Sequence, residues 1–437
     1  MLSATYRLLT DLGGPVIYLY LRRRLARGRE DADRFFERLG YPSQSRPQGK
    51  LIWCHAASVG EAASLLALIE KLRELYPEIQ VLITTGTMTS ARMLAGRIPK
   101  GVIHQYVPVD RAPYVKRFLD YWHPDFALWI ESELWPNMLH ALRKRMIPAA
   151  LVNSRMSDKS FRNWYRVKGW AQQMLGCFDI VLAQTEEERS RFVALGAKPV
   201  RCVGNLKYAG NPLPFDAQAL TKLKDNLAGR PCWLMASTHR GEEEMAIAAH
   251  HKLRDQWPDL LTIIVPRHAV RGDEIAATIA GSDMSFARRS KNDLIRPETG
   301  IYLADTMNEL GLFYRLCPIV VMGGSFAAAG GHNPIEPAQL GAAVIFGPHM
   351  HNFAGIAHEF MTQQAAIPLQ NANEIAFTIN RLLISPEARE RYAYAARMLA
   401  EDKRHVLDKV LEALKPWLEQ KTESGYQESG VSGKVPA

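Results

Sequence analysis

The stretch LIWCHAASVGEAASLLALIEKLREL, residues 51–75, joins a predicted buried strand to a predicted helix. Residues 51–54 form a short apolar run, and leucine and isoleucine recur at helical spacing over 62–75. Gly60 and Glu61 lie between the two segments. In open parallel sheets, ligands bind beyond the carboxyl ends of the strands. Chemistry is therefore expected at this turn, where Glu61 either complements the helix end or accepts a proton.

The alternation of strand and helix occurs in two sets along the chain. Near-continuous apolar strands separated by helices indicate parallel sheets covered on both faces. Two prolines and a Gly-Asn pair at 209–216 predict a linker between the sets. The sequence thus predicts an α/β protein with two doubly wound domains that face each other across a cleft. The predicted strands are 51–54, 81–85, 103–108, 126–131, 149–153 and 180–184 in the first set, and 232–236, 261–265, 301–304, 319–322 and 343–346 in the second.

Composition excludes several classes of protein. A chain of 437 residues with 47% hydrophobic and 23% charged residues is typical of a soluble globular protein with two or three domains. The five cysteines never occur as C-x-x-C, which argues against a zinc ribbon or a disulfide framework and fits a reducing compartment. His349 and His351 alone do not predict a metal site. The aromatic residues are not interleaved with lysine and arginine, so no nucleic-acid partner is expected.

The N-terminal segment carries much of the positive charge. Residues 1–29 hold six arginines and one acid, Asp11, and the apolar run LGGPVIYLYL covers 12–21. Ten residues are too few to span a bilayer, which needs about 20. The charge follows the apolar run, whereas a signal peptide has the reverse order. The segment therefore predicts an interfacial anchor on anionic lipid, with an ordinary amphipathic helix as the alternative.

The second half contains candidate phosphate-binding turns. A predicted strand ends in GGS, residues 323–325, and is followed by AAAGGHNPIEP, residues 327–337. Glycines there would let backbone N–H groups approach a phosphate, or would only serve a tight turn with positive φ. Asn333 and Glu336 are candidate ligand contacts in this loop. Arg267 follows another predicted strand and suits an anionic ligand, although such residues are common in surface turns.

Three further charged positions are candidates for chemistry. Glu131 and Glu133 follow a predicted strand, and two acids so close need partners or solvent unless one caps the next helix. Lys207 precedes the linker and would lie near the cleft, although a lone lysine is usually a solvated surface residue.

Thr306 is a predicted helix N-cap, with Glu309 as its capping-box partner. The sequence lacks the G-x-G-x-x-G, P-loop and G-x-S-x-G motifs, which disfavours dehydrogenases, NTPases and hydrolases.

Five motifs together resemble those of the 3-deoxy-D-manno-octulosonic acid (Kdo) transferases. Enzymes of that family transfer Kdo from CMP-Kdo to a lipid A precursor in lipopolysaccharide assembly, and they have the GT-B architecture of two Rossmann-like domains. The resemblance implies the same fold, donor and acceptor here, with no cofactor beyond the donor substrate. The motifs, in order, are HAASVGE (55–61), ESELWPN (131–137), PRH (266–268), DTMNEL (305–310) and GGHNPIEPA (330–338).

The resemblance also implies roles for individual residues. Glu61 matches the catalytic base of an inverting transfer, and Glu131 and Lys207 match groups that stabilise the transition state. At the first turn of a helix, the dipole is expected to lower the pKa of Glu61. Asn308 departs from the family pattern, in which glycine is common. The segments that match CMP-binding positions are Pro266 and Arg267, then Met307, Asn308 and Glu309, then Asn333, Pro334, Ile335 and Glu336.

The resulting expectation is an enzyme on the cytoplasmic face of the inner membrane. Two alternatives stay open: a GT-B transferase or epimerase that uses a UDP-sugar, and a non-catalytic, membrane-tethered module that binds a nucleotide sugar. The oligomeric state and the number of Kdo residues transferred are not predicted. The predicted division of the chain is a membrane anchor at 1–30, an acceptor domain at 31–211, a CMP-Kdo domain at 212–420 and a disordered tail at 421–437.

Overall fold

A computed structural model describes residues 2–131 and 133–420 and divides the chain into two compact units. The first unit comprises the chain up to Gly210 together with the described residues from His405 onward. The second unit runs from Asn211 to Arg404. Each unit is built on its own parallel sheet. The predicted disordered tail at 421–437 lies outside the described residues.

Fourteen strands are present in the described residues, seven in each sheet. Those of the first unit are β1 (Leu51–Ala56), β2 (Gln80–Thr85), β3 (Ile103–Tyr106), β4 (Phe126–Ile130), β5 (Ala149–Ser154), β6 (Ile180–Ala183) and β7 (Val200–Cys202). Those of the second unit are β8 (Cys232–Thr238), β9 (Leu261–Pro266), β10 (Phe286–Arg288), β11 (Ile301–Leu303), β12 (Ile319–Met322), β13 (Ala343–Phe346) and β14 (Ala366–Pro368).

Helices connect and cover the strands. The α-helices are α1 (Leu2–Leu12), α2 (Gly14–Ala26), α3 (Val59–Leu75), α4 (Met88–Leu94), α5 (Ala112–Trp122), α6 (Pro136–Lys144), α7 (Asp158–Arg166), α8 (Lys168–Leu175), α9 (Glu186–Ala194), α10 (Ala217–Leu227), α11 (Glu242–Leu253), α12 (Gly272–Ala280), α13 (Leu310–Leu316), α14 (Ile335–Gln339), α15 (Ala354–Thr362), α16 (Glu374–Ile384), α17 (Pro386–Asp402) and α18 (Val406–Leu418). Short 3-10 helices cover Phe35–Leu39, Leu206–Ala209, Ala269–Arg271, Arg289–Lys291, His351–Phe353 and Lys403–His405.

Both sheets have the doubly wound topology that the sequence predicts. The first sheet has the order β3-β2-β1-β4-β5-β6-β7, and the second has the order β10-β11-β9-β8-β12-β13-β14. In the first sheet the chain moves outward from β1 and then returns to its other side at β4. In the second sheet the same reversal separates β8 from β12. Ligands of such sheets bind where the strand order reverses, beyond the carboxyl ends.

The central strands are apolar on both faces because helices cover both sides of each sheet. In β1, Leu51 and Trp53 pack in one buried cluster, whereas Ile52 and Cys54 pack in another. Alternate side chains of a strand point to opposite faces, so each cluster lies on its own side of the sheet. This double burial explains why the strand is a continuous apolar run in the sequence.

The C-terminal helix corrects a predicted domain boundary. Although α18 follows the second unit in the chain, it packs on the first sheet, where Val410 is fully buried. The ring of Trp417 stacks on that of Phe126, with centroids 5.5 Å apart and planes 6° apart. Residues 405–420 therefore belong to the first unit and not to the predicted domain 212–420. The sequence shows that this helix has an apolar face, but it does not show which of the two sheets that face covers.

The N-terminal helices are held on the first unit by side-chain contacts. Trp170 Nε1 donates a hydrogen bond of 3.1 Å to Ser3 Oγ, and Asn137 Nδ2 donates one of 3.0 Å to Thr10 Oγ1. Leu21 of α2 is buried in a small apolar cluster. One face of α1 and α2 is thus fixed to the unit, which leaves their other side chains to solvent.

The outward side of these helices is apolar. We call this set of exposed side chains the N-terminal apolar surface: Leu8, Leu9, Leu12, Val16, Leu19 and Tyr20, which are 58% to 71% exposed. In the described part of the chain, every helix is too short or too polar to cross a bilayer. The exposed arginines Arg22, Arg23 and Arg27 follow on the same segment.

Candidate functional site

The acidic candidates of the first unit follow the two strands at which the strand order reverses. Glu61 lies in the first turn of α3, after β1, and Glu131 directly follows β4. Lys207 lies in the 3-10 helix after β7 and reaches Glu131, with 3.5 Å between its Nζ and Glu131 Oε1. The fold thus assembles a cluster of charged groups at the position where doubly wound sheets bind ligands.

Glu61 does contribute to the end of its helix. Ser58 is the N-cap of α3, and its Oγ accepts a hydrogen bond of 3.3 Å from the backbone N–H of Glu61. The Glu61 carboxylate folds back and accepts a 2.8 Å hydrogen bond from the N–H of Ala57. This is a variant of the capping box, in which a glutamate at the third helical position reaches back to a free backbone donor. The small residues of the turn therefore hold the carboxylate in one place.

Burial is the largest influence on the pKa of Glu61. The side chain is nearly enclosed, and this burial raises the pKa of its carboxyl group above the ordinary value. The negative charges of Glu131 and Glu133 raise that pKa further, against the hydrogen bonds from Ser58 and Ala57. The expectation of a lowered pKa was therefore wrong. A carboxylate with a raised pKa is the stronger base, as general base catalysis near neutral pH favours.

Glu131 serves as an anchor for two cations. Its Oε2 accepts a 2.9 Å hydrogen bond from Arg155 Nε, and its Oε1 lies 3.5 Å from Lys207 Nζ. Its backbone adopts φ of +64°, which is uncommon for a residue other than glycine and turns the chain sharply after β4. Because both oxygens face cations, Glu131 is suited to orient Lys207 and not to accept a proton. Arg155 was absent from the sequence prediction.

Lys207 is held by a network of amide side chains. Asn205 Oδ1 accepts a 3.0 Å hydrogen bond from the backbone N–H of Lys207. Asn153 Oδ1 accepts one of 2.9 Å from the N–H of Leu206, and Gln184 Nε2 donates one of 2.9 Å to the carbonyl oxygen of Asn153. The Lys207 side chain is only 12% exposed. Lys207 is thus a fixed group of the site and not a solvated surface lysine.

Glu133 faces a buried histidine and does not cap the next helix. Its Oε2 lies 3.8 Å from His55 Nε2, and His55 Nδ1 shares a 2.9 Å hydrogen bond with Thr84 Oγ1. Within residues 2–131 and 133–420, neither His55 Nε2 nor Glu133 Oε2 has a hydrogen-bond partner. The N-cap of α6 is Trp135, and the carboxylate of Asp110 accepts from the first N–H groups of that helix. The predicted alternative, a cap by Glu131 or Glu133, is therefore excluded.

In the second unit, Arg267 follows β9 beside the end of β8. Its backbone N–H donates a 3.0 Å hydrogen bond to the carbonyl oxygen of Thr238, which is paired in register with Pro266. The Arg267 side chain is exposed. This places a cation at the carboxyl edge of the second sheet, beside the point where its strand order reverses.

The segment after β11 is shaped by its backbone. Met307 is 59% exposed, and Asn308 adopts φ of +64°. This left-handed conformation suits glycine and is tolerated by asparagine better than by most residues. The departure of Asn308 from the family pattern therefore leaves the turn intact.

Glu309 is paired with an arginine. Arg289 donates hydrogen bonds of 2.6 Å and 3.1 Å to its two carboxylate oxygens, and this pairing lowers the pKa of Glu309. Thr306 also donates to the carboxylate. Helix α13 begins at Leu310 with Glu309 as its N-cap, so the prediction of Thr306 as N-cap was wrong. Because Arg289 and Thr306 already donate to its carboxylate, Glu309 can contact a ligand chiefly through its backbone groups.

The residues from Asn333 to Glu336 form a linked turn. Asn333 Oδ1 accepts a 3.2 Å hydrogen bond from the N–H of Ile335, and its Nδ2 donates one of 3.3 Å to Glu336 Oε1. Pro334 and Ile335 are buried beneath this pair. The structure thus links the two polar side chains to each other at the start of α14.

Backbone N–H groups of the glycine-rich loop after β12 donate hydrogen bonds to a side chain of the protein. The N–H groups of Gly324, Phe326 and Ala327 donate hydrogen bonds of 2.7, 3.0 and 3.2 Å to the fully buried carboxylate of Glu242. These groups are therefore not available to a phosphate, which corrects the role expected for this part of the loop. Across the described residues, no group of three or more His, Cys, Asp or Glu side chains is placed to hold a metal ion.

Comparison with known proteins places both the fold and the family. The family described as 3-deoxy-D-manno-octulosonic-acid transferase (kdotransferase) matches residues 33–210. The UDP-GlcNAc 2-epimerase from Neisseria meningitidis, solved with bound UDP-GlcNAc, is 12% identical and covers 84% of this chain and all of its own, with a TM-score of 0.59. That likeness concerns the fold alone, and with the two doubly wound sheets it confirms the GT-B class predicted from the sequence.

Similarity to curated relatives extends over nearly the whole chain. The 3-deoxy-D-manno-octulosonic acid transferase of Rickettsia bellii is 35% identical over 94% of this chain and 98% of its own. The probable mitochondrial enzyme of the same name from Arabidopsis thaliana is 36% identical over 91% of each chain. With its charged cluster and both sheets included in these matches, the chain belongs to the 3-deoxy-D-manno-octulosonic acid transferase family.

Proposed function

We propose that this protein is an inverting glycosyltransferase that moves Kdo from CMP-Kdo to a lipid A precursor of the lipid IVA type and releases CMP. Membership of the Kdo transferase family supports the reaction class. The observation that carries the mechanism is the buried Glu61 carboxylate, which lies near an ion pair between Glu131 and Lys207. A base and a fixed cation are the two groups that such a transfer requires from the protein.

On the acceptor side, Glu61 acts as the general base. It removes the proton from an acceptor hydroxyl, which then attacks the anomeric carbon of Kdo as CMP leaves. The centre passes through an oxocarbenium-like state, as in the related chemistry of glycoside hydrolysis. Lys207, oriented by Glu131, stabilises negative charge that develops during the transfer. Glu131 is thus a positioning residue whose effect on the reaction passes through Lys207.

On the donor side, the second unit binds the nucleotide. Arg267 supplies positive charge at the carboxyl edge of the sheet, which suits the phosphate of CMP. The backbone at Met307 and Asn308 and the linked side chains of Asn333 and Glu336 supply polar contacts to the nucleoside. The pairing of Glu309 with Arg289 supports a backbone contact at that position.

The choice of nucleotide is tested by thermal unfolding of the full chain with added ligand. A ligand that binds only the folded protein raises the unfolding temperature with its concentration. CMP is expected to raise that temperature, and UDP at the same concentration is expected to leave it nearly unchanged. Stabilisation by UDP and not by CMP would favour the alternative, a GT-B enzyme that uses a UDP-sugar.

The proposed location is the cytoplasmic face of the inner membrane, where the N-terminal apolar surface meets the bilayer. Exposed leucine side chains gain free energy when they enter the headgroup boundary, and nearby arginines are attracted to anionic lipid. Arg22, Arg23 and Arg27 are exposed beside this surface, whereas Arg24 is held by Glu30 at 2.6 Å. Exposed apolar side chains next to exposed positive charge are the pattern of an interfacial anchor.

A triple substitution tests this membrane contact. Leu9→Glu, Val16→Glu and Leu19→Glu together should lower binding to anionic vesicles at least about ten-fold, because each buried apolar side chain is worth about 1.5–3 kcal/mol. Binding is measured by co-sedimentation at low and high salt. These side chains are exposed, so the fold is retained, whereas deletion of the helices would uncover the pocket of Leu21. Leu294→Glu, at a position 69% exposed in the second unit, is the control. Equal sedimentation of wild type and triple variant would refute the contact.

A further inference from the structure

Two histidines share a hydrogen bond where the strand order of the second sheet reverses. His239 follows β8, and His332 lies in the loop after β12. Their Nε2 atoms are 3.0 Å apart, the ring planes differ by 11°, and the ring centroids are 5.2 Å apart. Nearly parallel planes with such a short nitrogen contact indicate two rings joined edge to edge. Neither ring is fully buried.

The protonation states of the two imidazole rings depend on each other. An N–H···N hydrogen bond requires that one imidazole donates and the other accepts, so both Nε2 atoms cannot carry protons at once. Burial lowers the pKa of His332 to about 4, with Arg267 adding to the effect, and burial also lowers the pKa of His239. The ring whose Nε2 accepts must carry its proton on Nδ1, which leaves that N–H as a donor for another group.

The surroundings favour an anion as that group. Arg267 is anchored next to His239, because its backbone N–H donates a 3.0 Å hydrogen bond to the carbonyl oxygen of Thr238, the residue before His239. Its positive charge disfavours protonation of both rings. Positive charge and an N–H donor therefore lie near each other at the edge of the sheet. Asn333, which belongs to a predicted CMP-binding segment, directly follows His332.

Glu242 blocks an anion site at the first part of the glycine-rich loop, from Gly324 to Ala327. Three loop N–H groups donate to that carboxylate, and so does the N–H of His239 at 2.8 Å. Glu242 thus occupies the donors that a phosphate would otherwise use, and its own charge is satisfied by four N–H groups. The histidine pair and Arg267, at the same edge of the sheet, do not depend on these N–H groups to meet a ligand.

Gly324 lets the two rings lie against the loop backbone. A Cβ at this position would be 3.1 Å from His332 and 3.3 Å from His239, and the backbone there has φ of +67°. Any side chain would crowd the rings and would strain the turn. The loop is therefore shaped to accommodate the imidazole pair.

We propose that His239 and His332, together with Arg267, form the site of the second unit that binds an oxyanion of the donor. The inference rests on the proposed function, because CMP-Kdo carries two such groups, the phosphate of CMP and the carboxylate of Kdo. Both offer the same chemistry to an N–H donor and a guanidinium group. Three ligands distinguish the two sources: CMP carries only the phosphate, CMP-Kdo carries both groups, and cytidine carries neither.

The test uses His239→Asn and His332→Asn in the full chain, with His358→Asn as control, since His358 is an exposed histidine on α15. Affinities for CMP and cytidine are measured by calorimetry, and the KM for CMP-Kdo is measured by product formation. A lost hydrogen bond to a charged group is expected to weaken binding about ten- to a hundred-fold. The ratio of CMP to cytidine affinity is taken within each variant, so that a smaller folded fraction does not change it.

Two outcomes support the site and assign its ligand. Weaker CMP binding with unchanged cytidine binding identifies the phosphate. Unchanged CMP and cytidine binding with a raised KM for CMP-Kdo identifies the carboxylate. The proposal is overturned if both variants match wild type with all three ligands, or if cytidine loses affinity by the same factor as CMP. Failure of the wild-type protein to bind CMP or use CMP-Kdo would instead refute the proposed function.

Discussion

Glu61→Gln should lower kcat for Kdo transfer about 10²- to 10⁴-fold, which is the usual contribution of a positioned general base. The amide can still accept the hydrogen bond from Ala57 that the carboxylate now accepts at 2.8 Å. The turn is therefore kept while the ability to take a proton is lost. Glu70→Gln, at an exposed position of the same helix, should leave kcat unchanged. Turnover of Glu61→Gln near that of wild type would remove Glu61 from the role of base.

The raised pKa of Glu61 gives this prediction a pH dependence. A base must be ionised to act, so kcat/KM should fall as pH drops through the pKa of Glu61, which lies above its ordinary value. The effect of pH on stability has the opposite direction to its effect on kcat/KM. The pKa of Glu61 is higher in the folded protein than in the unfolded chain. Ionisation of Glu61 therefore lowers the free energy of unfolding as pH rises through its folded-state pKa. Glu61→Gln should therefore unfold at the same temperature as wild type or higher at neutral pH. A clear loss of stability would show that the substitution damages the fold, and its activity could not then be interpreted.

Lys207→Met should lower kcat about 10²- to 10³-fold, as expected when a preorganised group that stabilises transition-state charge is removed. The ammonium is held at 3.5 Å from Glu131 Oε1 and is largely buried, so its charge is little screened by solvent. Methionine retains the length of the side chain without the charge. Lys159→Met, at an exposed position of the first unit, is the matched control. Activity is measured at saturating CMP-Kdo.

The positioning role of Glu131 is tested by a double-mutant cycle. If Glu131 acts only by orienting Lys207, then Glu131→Gln should lower kcat in the wild-type background and should cost little more in the Lys207→Met background. Residues that act as a unit show such non-additivity. Fully additive losses would mean that Glu131 contributes through a route independent of Lys207. A Lys207→Met variant with wild-type kcat would exclude the lysine from the mechanism altogether.

The interior of both sheets was predictable from the sequence, whereas three edge strands were not. The missed strands are β7, β10 and β14, each three residues long and each at the edge of its sheet. An edge strand pairs on one side only and is less completely covered. It therefore lacks the continuous apolar run by which central strands such as β1 are recognised.

The candidate site was predictable only in part, because its contacts depend on the order of the strands. Glu61 and Lys207 could be singled out from motifs, but the partners Arg155 and His239 lie after other strands and carry no local signal. Topology alone brings Arg155 to Glu131, and His239 to His332. The predicted direction of the Glu61 pKa shift was wrong because burial, the largest cause of the raised pKa, cannot be read from the position of a residue at a helix end.

Transfer of Kdo, followed by mass spectrometry of the acceptor, tests the central claim most directly. The full chain is incubated with CMP-Kdo and a lipid A precursor in vesicles, and the lipid product and released CMP are quantified together. The account predicts that the acceptor gains one or more Kdo units with one CMP released for each, and that Glu61→Gln abolishes nearly all of this gain. An acceptor of unchanged mass in the presence of the wild-type protein and intact CMP-Kdo would contradict it.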